Sequence, residues 1–284
     1  MRPPKAIVVV PGLGSGPWDW EAVIALSPAE PPVLFMDVTT PSGRPGRDER
    51  WLPAAVAGRL RDGLRELPAA GAGPVLLVGH SSGALVVQAF AYLHPAECAG
   101  LVLVDGSHAL APQVRPGWLH RVGRILAGVV VETGLVSLAA PAVRLIGVRT
   151  MSVRGRDPLT AGERRRHYRP RAMARRMADG WLGHATLQAG LVRWHSRGAP
   201  EVPVRVVAGT ARVGRRGTDR RWSAVQRDLA VRMGDPAPVL LADAAHLVPL
   251  DRPDAVVHAI GRLLRAGAAG EAAGQSSGEH LEAR

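Results

Sequence analysis

Residues 74–95 constrain this chain more than any other stretch. Pro74 opens a short apolar run, Val75 to Val78, which passes directly into Gly79-His80-Ser81-Ser82-Gly83 and then into Ala84, Leu85, Val86, Val87 and onward to Pro95. A four-residue apolar run after proline predicts a fully buried strand, and the residues from Ser82 predict a helix that Pro95 ends. A serine between two glycines at such a strand-to-helix turn is held proud of the sheet, because glycines on either side let the helix pack close behind the strand. The Ser81 hydroxyl then lies at a helix N-terminus, where backbone N–H groups and the helix dipole favour negative charge.

The flanking sequence repeats the alternation of strand and helix. Ala6-Ile7-Val8-Val9-Val10 is an unbroken apolar run, followed by a short helix over 18–26 and a second strand over 33–37. Residues 40–48 read as a turn-rich surface loop, and 50–67 carry Leu52, Val56, Leu60, Leu64 and Leu67 at the three-to-four spacing of an amphipathic helix. Strands follow at 100–104, 202–209 and 238–241, with a helix over 221–231 and a closing helix to about 264. Such alternation builds a mostly parallel sheet with right-handed crossovers and helices on both faces. With its Gly79-His80-Ser81-Ser82-Gly83 elbow in that setting, the chain resembles the α/β-hydrolase superfamily, specifically its serine esterase and lipase-like members.

The resemblance implies a division of the chain. Residues 1–106 and 201–265 would form the two parts of the α/β-hydrolase core, and 107–200, which hold no convincing strand, a helical cap inserted between them. Residues 266–284, dominated by Gly, Ala, Ser and Glu, are expected to be disordered. Within the cap, 119–148 is strongly apolar, but Glu132, Gly134 and Pro141 break it before it reaches the roughly 20 apolar residues of a membrane span.

Composition bounds the remaining readings. At 284 residues and 46% hydrophobic, the chain has the size and content of one globular unit with a large core. Cys98 is the only cysteine, which excludes an internal disulfide; with no signal-peptide core near the start, a cytoplasmic protein is expected. The net charge of +12 is unevenly spread: 107–200 holds 16 basic and 4 acidic residues, so the whole excess sits in the cap. Every basic residue but Lys5 is an arginine. The densest stretch, Arg164 to Arg176, has Tyr168 as its one aromatic, too few for a base-stacking platform, so no nucleic acid partner is expected. The basic, apolar cap leaves open a peripheral contact with a membrane surface.

The chemistry rests on a serine and a base. Serine is a poor nucleophile at neutral pH and needs a neighbouring imidazole to take its proton. His246 follows the last strand, where the family carries its base. The acid is less plainly marked. In many relatives it follows the strand at 202–209, yet Gly209-Thr210-Ala211-Arg212 places an arginine there. Asp105, Asp219 and Asp243 remain as candidates. Asp105 ends the strand beside the nucleophile's, at the edge where ligands gather in open parallel sheets, and some relatives place their acid there. It is the favoured choice, with Asp219 next. The resemblance also assigns the oxyanion-binding N–H groups to Leu13, in the Pro11-Gly12-Leu13-Gly14 loop where relatives carry His-Gly, and to Ser82. His80 is expected to be a buried elbow residue, His108 to lie on the surface, and His184 and His195 to be packing or surface histidines without a metal. Together these imply a cofactor-free, metal-free hydrolase of hydrophobic esters or thioesters acting through Ser81, His246 and Asp105. The alternatives are a non-catalytic binding protein that keeps the fold, or a lipase-like enzyme that uses its basic cap at a membrane surface. The oligomeric state is not legible.

Overall fold

The computed structural model describes residues 3–37, 48–70, 73–108, 135–215 and 217–279. The expected loop at 40–48 therefore falls almost wholly outside the described residues, as does the apolar stretch 119–134 of the expected cap.

Six strands form one sheet: β1 (Ile7–Val10), β2 (Val33–Phe35), β3 (Val75–His80), β4 (Cys98–Val104), β5 (Val204–Gly209) and β6 (Val239–Leu241). Their order is β2-β1-β3-β4-β5-β6, and every pairing is parallel. The β-branched runs anticipated as buried strands are just that, because helices cover both faces. Alternate side chains of a strand point to opposite faces. Val8, Val10, Leu77, Leu101 and Leu103 pack on one face with α2 (Pro53–Glu66), α3 (Ser82–Leu93) and α7 (Arg220–Met233). Ile7, Val9, Leu76, Val78, Val102 and Val104 pack on the other with α1 (Glu21–Leu26), α8 (Val248–Asp251) and α9 (Pro253–Glu279).

Between β4 and β5 the described residues hold only helices: α4 (Leu135–Met151), α5 (Ala161–Tyr168) and α6 (Arg171–His195). Helix α5 begins with a full capping box, Thr160 accepting from the Glu163 N–H while the Glu163 carboxylate accepts from the Thr160 N–H. Helix α6 buries Leu187 and Leu191 against the core and packs on α3. Among the described residues no helix is long and apolar enough to cross a membrane.

Two expectations change. The helix anticipated over 50–67 is divided: a short 3-10 turn, Asp48–Trp51, precedes α2, which starts at Pro53 because proline fits the first helical position, where no N–H is needed. Pro141 lies inside α4. The closing helix, anticipated to stop near 264, continues to Glu279 through residues expected to be disordered; alanine, the best helix former, recurs there at 266, 268, 269, 272 and 273.

Candidate active site

Register decides what meets at one edge of the sheet. Val10 pairs with Gly79, His80 with Val104, Val104 with Val207, and Gly209 with Leu241, so β1, β3, β4, β5 and β6 end side by side. The loops that follow carry Leu13, Ser81, Asp105, Arg212 and His246. Strand order reverses between β1 and β3, which opens a crevice between the Leu13 loop and Ser81.

Ser81 turns the chain sharply from β3 into α3 with φ 51° and ψ −121°, a backbone conformation that side chains other than glycine rarely adopt. The flanking contacts explain why both neighbours are glycine. A Cβ on Gly83 would lie 2.2 Å from the Val10 carbonyl oxygen, and one on Gly79 would lie 2.7 Å from the Ala84 Cα. The turn is pinned by the Ser81 N–H donating to Val104 O (3.2 Å) and the Ser107 N–H donating to Ser81 O (2.9 Å).

From this perch the Ser81 hydroxyl donates to His246 Nε2 at 3.1 Å. On the far side of the ring, Nδ1–H donates to Asp105 Oδ2 at 2.5 Å. Asp105 is 1% exposed, and its other oxygen accepts from the Gly209 N–H (3.0 Å) and from the Trp222 indole N–H (2.9 Å). A carboxylate offers only acceptors, so it sets the imidazole tautomer: the proton sits on Nδ1 and Nε2 is free to receive one from serine. The imidazole remains 31% exposed, within reach of a substrate.

The rival carboxylates lie elsewhere. Asp219 caps α7, accepting from the Trp222 N–H at 3.0 Å, and Asp243 pairs with Arg252 at the surface (2.6 Å). Of the three sequence candidates, Asp105 is the one that touches His246. Arg212 lines a cavity of about 460 Å³ beside His246 together with Met151, Val213, Arg215 and Trp222.

The remaining histidines separate by environment. His80 is buried, its ring 5.0 Å from that of His246, and its Nε2–H donates to the His246 carbonyl at 3.0 Å. Burial, with the nearby His246 adding to it, pushes His80 down to about 3, so it is a neutral prop for the histidine loop. His108 corrects the expectation of a surface residue: it is buried, and its Nε2–H donates to Asp228 at 2.6 Å. His195 is buried too, donating to the Gln88 side-chain carbonyl at 3.0 Å. Cys98 is buried and its thiol is pushed up to about 12 by burial, which suits packing and not attack.

Leu13 follows β1, and Gly12 is so close to the nucleophile that a Cβ there would stand 2.8 Å from Ser81 Cβ. Ser82 opens α3, where the first N–H groups of a helix have no partner within it. Sequence reasoning missed Trp222, His80 as a prop, and Asp251. Asp251 is buried and accepts from the Ala245 N–H (2.9 Å), and so holds the residue before His246. Its sole signal in the sequence is a carboxylate shortly after the histidine.

A serine, an imidazole and a buried carboxylate in this line can pass a proton and activate the hydroxyl. The model of the "Alpha/beta hydrolase family" matches residues 7–259. Among solved structures, a thermophilic esterase from Thermogutta terrifontis is 21% identical, with 92% of this chain and 90% of that one covered and a TM-score of 0.63. A mutant of a candidate epoxide hydrolase from Pseudomonas aeruginosa is 20% identical over 94% and 90% of the two chains, TM-score 0.64. The thioesterase domain of the curacin biosynthetic pathway is 17% identical over 90% of each, TM-score 0.59. At these identities the likeness is one of fold. A search of curated proteins found no match.

Proposed function

The chain belongs to the alpha/beta hydrolase family, and from that premise we propose that it hydrolyses carboxylic esters or thioesters with a hydrophobic part through an acyl-enzyme on Ser81. The observation that carries this reading is the relay itself: Ser81 Oγ to His246 Nε2 at 3.1 Å, and His246 Nδ1 to Asp105 at 2.5 Å.

His246 takes the Ser81 proton as Oγ attacks the substrate carbonyl, and Asp105 steadies the imidazolium that forms. The oxyanion of the tetrahedral intermediate accepts from the N–H groups of Leu13 and Ser82. His246 then gives its proton to the departing alcohol or thiol, leaving the acyl group on Ser81. Water enters, loses a proton to His246, and releases the acid as Ser81 regains its proton. These steps use only the side chains and backbone N–H groups named and one water. A serine at the elbow, where epoxide-opening relatives use a carboxylate, supports acyl chemistry over ring opening.

The relay through Asp105 also weighs against a non-catalytic binding protein, the reading that the arginine at 212 would favour. Nitrophenyl esters of rising acyl length give the test. The expected result is a burst of about one nitrophenolate per chain followed by steady turnover, fastest for medium chains. Acetate turned over best would remove the hydrophobic preference, and turnover of styrene oxide but no ester would overturn the reaction class.

A second reading, contact with an anionic membrane surface, draws on the outer face of α4, where Leu138, Val143 and Ile146 are 62%, 55% and 60% exposed and Arg149 is exposed beside them. Co-sedimentation with phosphatidylglycerol vesicles that weakens with salt is the expected result; none at low salt would discard it.

A further inference from the structure

The Leu13 loop is a tight turn whose outer side is held by the helices between β4 and β5. The Ser15 N–H donates to Gly12 O at 3.1 Å, and Gly14 takes φ 70°, so Leu13 and Gly14 are the central pair of a turn that needs glycine at its second central position. Leu13 is the residue whose N–H faces the nucleophile in the reading above, and its direction follows from how this turn is seated.

Three contacts seat it. The Tyr168 hydroxyl, at the end of α5, donates to the Gly14 carbonyl. Ser15 Oγ donates to Asp19 Oδ2 at 2.8 Å, and Arg144 in the middle of α4 grips both Asp19 oxygens. Met177 on α6 packs against Gly14, close enough that a Cβ there would meet it at 3.0 Å. Trp18 stacks beside His167 at 4.3 Å and edges onto Tyr168 at 6.0 Å. Burial pushes Tyr168 up to about 12, so it stays a neutral donor across any assay range.

The charges in this cluster are almost fully buried: Arg144 is 7% exposed, Asp19 3% and Asp157, which also accepts from Arg144 (3.2 Å), 2%. Taking such groups out of water costs nearly what their attraction returns, so stability alone is a weak reason for them, and fixing register is the better-attested use. The same helix reaches the other half of the site. Seven residues on from Arg144, about 10 Å along the axis, Met151 O accepts from the Leu247 N–H (2.9 Å), and Ser152 Oγ donates to Asp251 (2.5 Å), the carboxylate that holds the loop of His246.

We infer that Tyr168 and the Arg144 to Asp19 pair are positioning residues for the oxyanion-binding turn, so that the helices between β4 and β5, when seated on Gly14 and Asp251, bring the donating N–H of Leu13 and the base into register. This rests on the serine hydrolase reading and deepens it. The Tyr168 ring touches neither the nucleophile nor the base; it acts through the turn. Its removal should therefore weaken binding of the tetrahedral state and leave binding of the planar substrate alone.

The experiment compares wild type with Tyr168→Phe, and independently with Arg144→Lys, in steady-state turnover of nitrophenyl butyrate and in inhibition by phenylboronic acid, which becomes tetrahedral on the serine, against butyramide, which stays planar. For Tyr168→Phe the expected result is a kcat about tenfold lower with KM and the butyramide constant unchanged, a matching tenfold loss for the boronate, and an unaltered thermal midpoint. Arg144→Lys should follow in the same direction, and Tyr168→Phe, which keeps the ring, stands by itself if Arg144→Lys does not fold. A kcat within twofold of wild type, or equal weakening of boronate and amide, overturns the inference while leaving the hydrolase reading intact. A wild type that neither turns over the ester nor binds the boronate overturns both.

Discussion

Replacing Asp105 with asparagine has a consequence that the hydrogen bonds around it determine. One oxygen accepts two donors, the Gly209 N–H at 3.0 Å and the Trp222 indole N–H at 2.9 Å, and the other accepts from His246 Nδ1 at 2.5 Å. Asparagine has one acceptor oxygen. Turned one way, its NH₂ would face two donors in a site 1% exposed; turned the other, the oxygen keeps both donors and the NH₂ faces the imidazole. An unpaired buried donor costs about 1–3 kcal/mol, so the second orientation wins. His246 must then accept at Nδ1 and carry its proton on Nε2, facing the serine it should deprotonate. With the tautomer reversed and the carboxylate charge gone, kcat should fall by up to about 10⁴, equivalent to about 5 kcal/mol at the transition state. Stability should change by only about 1 kcal/mol, because the side chain keeps its size and its two donors. Turnover of nitrophenyl butyrate, with urea unfolding alongside, is the assay; Asp219→Asn, which preserves a capping oxygen on α7, should stay within about threefold. An Asp105→Asn enzyme within tenfold of wild type, or an Asp219→Asn enzyme as impaired as Asp105→Asn is expected to be, would refute the assignment of the acid.

Other outcomes follow from the same contacts. Gly83→Ala should cost at least about 2–3 kcal/mol in urea unfolding, since its Cβ would meet a backbone oxygen at 2.2 Å that cannot step aside. Trp222→Phe removes one donor to Asp105 and should lower kcat by about tenfold with little change in KM; an unchanged kcat would show that the indole does not help to orient the acid. Burial holds His80 down to about 3 and His195 to about 4, while both titrate near 6.5 in the unfolded chain. The unfolded state therefore binds more protons as pH falls below 6.5, so stability is fully present above that value and declines through the interval down to about 4, by up to about 1.4 kcal/mol per pH unit for each histidine. His195→Gln should flatten the decline measured by urea titration between pH 6.5 and 4.5; an identical slope would contradict it. Asp251→Asn, which loosens the loop of His246, should reduce kcat more than it raises KM.

Much of this was legible from the residues because the relevant signals are local. Apolar runs in β-branched residues predict buried strands wherever helices cover both faces, and β1, β3, β4 and β5 comply. Ser81 announces itself through its two glycines, and Asp105 through its place at the end of a strand next to the nucleophile's. What stayed hidden depends on distant partners. Tyr168 meets Gly14 across 154 positions of chain, and Asp251 meets Ser152 across 99. No periodicity encodes such pairs, and an isolated tyrosine inside an arginine run reads as solvated surface. His108 was misread for the same reason: its hydrogen-bond partner, Asp228, lies 120 residues away on α7. The length of α9 was missed because glycine and serine suggested disorder, while alanine at intervening positions sustains the helix.

The central claim, that the Ser81 hydroxyl is made nucleophilic by His246, is tested most directly by intact-protein mass spectrometry after treatment with a fluorophosphonate, with peptide mapping of the adduct. One phosphonyl group on Ser81, absent in Ser81→Ala and slowed at least about a hundredfold in His246→Ala, is the predicted result. A folded protein that takes up no label, or one labelled elsewhere with equal speed in all three forms, would contradict it.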